Sequence, residues 1–105
     1  MLNNNSLHKE KNKLLLKLTK GLLWNFDIKK LDYKRDKKQL IERIIDAGLQ
    51  EDEIIMWKLY EYREIKKIAL NIENLAADKV LYMSFVLKVN KEKFKCYKKK
   101  PWYRK

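Results

Sequence analysis

One cysteine, one histidine, one proline and two glycines are all that 105 residues contain of these types. Each scarcity excludes something. Cys96 has no second cysteine to pair with, so the staple of small secreted domains is missing. A zinc site needs three or four Cys or His ligands, and His8 and Cys96 fall short of that, so neither a metal nor a cofactor is expected. Nucleophilic catalysis by a Cys–His pair would have to join those same two residues from opposite ends of the chain. Gly21 and Gly48 are too few and too far apart for a glycine-rich phosphate loop. Sheet proteins with many tight turns need more glycine and proline, so the shortage favours helices joined by short links.

Long apolar runs are also missing. The longest nearly unbroken one, Val80 to Leu87, is far too short to cross a bilayer. The first ten residues are Asn-rich and polar, without the apolar core of a signal peptide. The cytoplasm is the expected compartment.

What the sequence does have is positive charge. The formal net charge is +12, with lysine outnumbering arginine 22 to 4. The excess sits at the ends: +6 over residues 1–35, −2 over 36–87 and +8 over 88–105. Basic ends attract a polyanion, either nucleic acid or an acidic partner. A generic lysine excess from codon usage accounts for the same numbers. Arginine is the usual reader of guanine edges, so its scarcity argues against sequence-specific DNA reading.

Hydrophobic residues are 46% of the chain, ordinary for a folded protein. Their spacing predicts an all-α fold, a compact bundle of about five helices. Residues 1–12 read as a flexible lead-in, 13–97 as the helical domain and 98–105 as a basic aromatic tail. Leu14, Leu15, Leu18 and Leu22 share one helix face, with Gly21 as a stop signal. Residues 22–28 are dense in large apolar side chains without a period. They read as an irregular segment anchored by Trp24 and Phe26, with Asp27 and Asp32 as candidate caps.

Residues 33–47 predict the best-marked helix, its buried stripe being Leu40, Ile41, Ile44 and Ile45. Gly48 is expected as a left-handed residue closing a Schellman motif, with Leu49 packed on Ile44. Glu51, Asp52 and Glu53 occupy the first turn of the next helix, where the macrodipole favours them. That helix runs to Tyr60 and is apolar nearly all round, as a central helix is. Ile65, Ile68, Ala69 and Ile72 give the cleanest amphipathic period. Asn74 is a candidate cap for a helix over 75–88, with Ala76, Val80, Met83 and Leu87 on one face and Leu81 and Phe85 on another. Asn90 opens a short turn pinned by Phe94.

Catalytic groups are hard to find. Asp32 and Asp36 share a face, but lysines and Arg35 surround them, which fits a cap with an exposed ion pair better than acid–base chemistry. The tail is more suggestive. Lys95, Lys98, Lys99, Lys100, Arg104 and Lys105 are polyanion-binding candidates. Trp102 and Tyr103, interleaved with those cations, suit stacking on bases or docking on an acidic partner. Trp24, Phe26 and Trp57 complete the partner-binding candidates. A helix-turn-helix over residues 51–60 and 62–72 lacks the usual glycine in its turn and sets Glu64 among the base-reading cations, so a solvated helix surface is preferred.

Residues 23–28 (Leu-Trp-Asn-Phe-Asp-Ile), 30–33, 40–45, 57–60, 65–68 and 94–97, in that order, resemble a family of small bacterial helical proteins. Members are often encoded beside a nucleotidyltransferase-like abortive-infection toxin. Glu61 stands where the family usually has glycine, and Lys91 where proline is common. The resemblance implies an antitoxin-like accessory role with a toxin enzyme as protein partner. Two other readings stand beside it: a nucleic-acid-binding module or repressor using the basic ends, and a structural or assembly protein of a mobile element.

Overall fold

Residues 4–96 are described by a computed structural model of the chain. Among them the secondary structure is entirely helical. Five α-helices form: α1 (Asn4–Leu15), α2 (Lys37–Ala47), α3 (Gln50–Leu59), α4 (Tyr62–Leu70) and α5 (Ala77–Leu87). Three single-turn 3₁₀ helices, Lys20–Leu23, Ile28–Lys30 and Lys91–Lys93, punctuate the links. None of the helices among the described residues is long and apolar enough to cross a membrane. The chain divides into two compact units between Glu61 and Tyr62.

In the first unit α3 packs on both α1 and α2, and the first 3₁₀ turn packs on α2. The predicted stripe of α2 is buried at all four positions, Leu40, Ile41, Ile44 and Ile45. Regular helix begins only at Lys37, because 33–36 form a separate turn. Asp32 caps that turn, its Oδ2 accepting from the backbone N–H of Lys34 (3.1 Å) and Arg35 (2.9 Å). Asp36 reaches back and accepts from Asp32 N–H at 3.0 Å. Asp27 likewise caps its short turn through Lys29 N–H at 3.1 Å.

Three expectations are corrected here. The polar stretch read as a lead-in is helical from Asn4. Its side chains tie it down: Asn12 accepts from Tyr33 N–H at 2.8 Å and donates to Asp32, and His8 Nε2 donates to Asp32 Oδ1. The His8 ring also meets Tyr33 edge-on, centroids 5.0 Å apart. Leu15 is fully buried, which contributes about 2 kcal/mol.

Second, Gly21 does not end the helix. It is exposed with open space where a Cβ would stand. The helix gives way earlier, at i→i+3 bonds from Leu16, Lys17 and Leu18, and the chain turns out at Thr19. Both the N–H and the hydroxyl of Thr19 are committed to Asp52 on α3.

Third, Gly48 is not left-handed. Its φ of −73° and ψ of 156° are extended, and Leu49 is 57% exposed instead of packing on Ile44. The glycine is required by crowding. A Cβ there would lie 2.6 Å from Ile44 O, 3.1 Å from Ile44 Cα and 3.2 Å from Asp52 Cβ. At an open site with this φ, alanine would stabilise by stiffening the unfolded chain. Here backbone atoms cannot step aside, so Gly48→Ala is expected to destabilise by about 1–3 kcal/mol in urea unfolding.

In the second unit Ile65 and Ala69 of α4 are buried, as are Ile72 and Leu75 of the link. Asn74 does not cap α5; the cap position is Ala76, exposed and without a side-chain hydrogen bond. The helix therefore starts two residues later than the sequence implies. Val80, Met83 and Leu87 are buried, while Leu81 (53%) and Phe85 (83%) face solvent. Lys88 closes α5 in the left-handed region, φ 57° and ψ 45°. Asn90 caps the last 3₁₀ turn through Glu92 N–H at 3.0 Å, and that turn packs on α5. Phe94, the expected pin, is fully buried, and so is Cys96.

Candidate functional site

The segment between the first two 3₁₀ turns carries Trp24 and Phe26. Both were expected to anchor it, yet Leu22 and Leu23 do so, at 6% exposure each. Their burial on α2 turns the following residues outward. Trp24 is 79% exposed, the most exposed tryptophan among the described residues. Phe26 is half-buried.

An exposed indole usually has many rotamers. This one is held. Arg43 flanks the buried stripe of α2, so its side chain emerges at the edge of the packed face. Its Nη1 donates to Leu22 O at 3.0 Å. The guanidinium then lies 4.5 Å from the centre of the Phe26 ring and 5.6 Å from that of Trp24. Each such cation–π contact at an exposed site is worth about 0.5–1 kcal/mol. The result is a platform of two aromatic rings bridged by one planar cation. Lys20, Lys29 and Lys30, all exposed, are close to it along the chain.

Arg43 was absent from the candidates drawn from the sequence. A signal was there to be used. Where lysine outnumbers arginine 22 to 4, an arginine stands out as a planar, hydrogen-bonding, stacking charge.

Trp57 is half-buried on α3. Lys95 belongs to the second unit, where it pairs with Glu73 at 3.2 Å; both side chains are well exposed, so the pair is worth little. Trp102, Tyr103, Lys98, Lys99, Lys100, Arg104 and Lys105 lie outside the described residues.

Two carboxylates are perturbed, Asp32 strongly, and both in the structural direction. Asp32 is held well below the ordinary carboxylate range, first by the backbone N–H of Arg35 and then by His8, against a smaller penalty from burial. At Asp52, burial alone pushes upward, but hydrogen bonds from Leu49 N–H, Thr19 N–H and the Thr19 hydroxyl outweigh it and lower the carboxyl overall. A general acid working near neutrality needs the opposite shift. Asp32 and Asp36 are thus a cap and an ion-paired partner, Asp36 meeting Arg35 at 3.2 Å.

The sign of the pH dependence follows. Folded-state values below the unfolded value of 3.8 mean that the stabilisation is complete above 3.8 and is lost as pH falls through the lowered values. Acid unfolding followed by circular dichroism is expected to have its midpoint below pH 3.8. Asp52→Asn, lacking one titrating group, is expected to lose less stability than the parent between about pH 5 and pH 2.

No curated protein and no solved structure matches the chain. Residues 18–69, which hold Trp24, Phe26, Arg43, Asp52 and Trp57 and stop short of α5, match a family of unknown function, DUF6922.

Proposed function

We propose that the chain is a non-catalytic binding protein whose Trp24–Arg43–Phe26 platform docks a protein partner, in the manner of an antitoxin-like accessory subunit of a nucleotidyltransferase-type toxin. The observation that carries this reading is a large aromatic exposed to solvent beside an arginine. An exposed indole offers a large apolar area to a partner, and tryptophan and arginine are the residues that most often dominate interface energetics. The resemblance to toxin-associated helical proteins supplies the class of partner. The basic ends supply attraction to an acidic cleft on that partner.

The second reading is a nucleic-acid module. Exposed Lys20, Lys29 and Lys30 near two aromatic rings favour it, since bases stack on such rings while lysines track phosphates. It predicts affinity for a mixed-sequence duplex or single strand that falls steeply with salt. Fluorescence titration with each probe of a chain carrying Trp57→Phe and Trp102→Phe, which leaves Trp24 as the one tryptophan, separates the two readings. Weak, salt-abolished quenching leaves the protein-docking reading standing; tight quenching that saturates at stoichiometric oligonucleotide replaces it.

A further inference from the structure

α5 is apolar on two sides. Val80, Met83 and Leu87 are buried, and roughly opposite them lie Leu81 at 53% and Phe85 at 83% exposure, with half-exposed Tyr82 between. A helix that is apolar all round is normally covered on every side. The exposed stripe begins at Asp78 and ends at Lys88, both exposed, and spans about 15 Å.

The order of residues along this stripe is self-complementary. We propose that α5 is the contact between two copies of the chain, packed antiparallel about a two-fold axis level with Met83. That axis sets Leu81 of one copy opposite Phe85 of the other. The same register, without adjustment, sets Asp78 opposite Lys88. A two-fold interface requires each pairing to occur twice, and both pairings here are their own mates. One register satisfying the apolar pair and the charged pair together is what singles out a second copy as the occupant. A polyanion gains nothing from a stripe whose own charges cancel. The inference is independent of the reading of Trp24, which lies in the other unit.

The contact is small, so the dimer is weak, with a dissociation constant on the order of 100 μM. Sedimentation equilibrium from about 10 μM to 1 mM, in about 0.3 M salt to screen the net charge, tests it. The wild-type chain is expected to pass from monomer to dimer across that range. Phe85→Glu is expected to remain monomeric with an unchanged circular-dichroism spectrum. Asp78→Lys brings two lysines together and is expected to weaken association about tenfold, whereas Asp78→Lys with Lys88→Asp restores it. A wild-type chain monomeric at the highest concentration overturns the proposal. Association that survives Phe85→Glu, or a double exchange no tighter than Asp78→Lys alone, also overturns it.

Discussion

Replacing Asp52 with alanine is expected to destabilise the chain by about 3–4 kcal/mol. The residue is charged yet only 1% exposed. Its Oδ1 accepts from Thr19 N–H, and its Oδ2 accepts from the Thr19 hydroxyl and from Leu49 N–H, all at 2.8 Å. The last bond is the acidic half of a capping box; Leu49 has no acceptor with which to make the other half. One carboxylate therefore starts α3 and fixes the chain where it leaves α1. Alanine abandons two part-buried backbone donors.

Asparagine tests the charge separately from the shape. Each carboxylate oxygen accepts from a backbone N–H, so an amide turned either way sets its NH₂ against one of them. Asp52→Asn is expected to cost about 2 kcal/mol, and Thr19→Val, which removes only the hydroxyl bond, about 1 kcal/mol. Urea unfolding monitored by circular dichroism measures all three.

Trp24→Ala is expected to do the reverse: little to the fold and much to binding. A side chain 79% exposed contributes little to folding, so stability is expected to change by no more than about 0.5 kcal/mol. Affinity for the protein partner is expected to fall at least about thirtyfold, or about 2 kcal/mol, the scale of an aromatic hot spot. Arg43→Lys is the informative companion. It keeps the charge but loses the planar group that hydrogen-bonds Leu22 O and lies against both rings. Trp24 then loses its cation–π neighbour, and the expected affinity lies between those of the parent and Trp24→Ala. Isothermal titration against the purified partner reads both.

Periodicity made some of this structure legible and tertiary contacts hid the rest. The stripe of Leu40, Ile41, Ile44 and Ile45 could be read because four apolar residues at helical spacing have one face to bury. The caps at Asp27, Asp32 and Asn90 could be read because they act within three residues. Gly48 was recognised as a helix stop, but its cause was not local: the approach of Ile44 and Asp52 excludes a Cβ. The end of α1 depends on Thr19 meeting a residue 33 positions away, which no local pattern encodes. The helicity of the Asn-rich start likewise depends on contacts from His8 and Asn12 to Asp32 and Tyr33.

At the candidate site, composition identified Trp24 and Phe26 but gave Trp24 the wrong posture. Large aromatics are more often core than surface, so both read as anchors. Leu22 and Leu23 already fill that role, which leaves Trp24 outside. Arg43 was missed because its function depends on being opposite that loop across the fold, while in sequence it is one more cation between a glutamate and an isoleucine.

The central claim, that Trp24 is a docking residue for a protein partner, is tested most directly by a nuclease-treated, high-salt pull-down from the native host with wild-type and Trp24→Ala baits side by side. The account predicts a stoichiometric enzyme of the nucleotidyltransferase class on the wild-type bait and its loss from the equally folded Trp24→Ala bait. The same enzyme retained equally by both baits, or no protein retained by either, would contradict it.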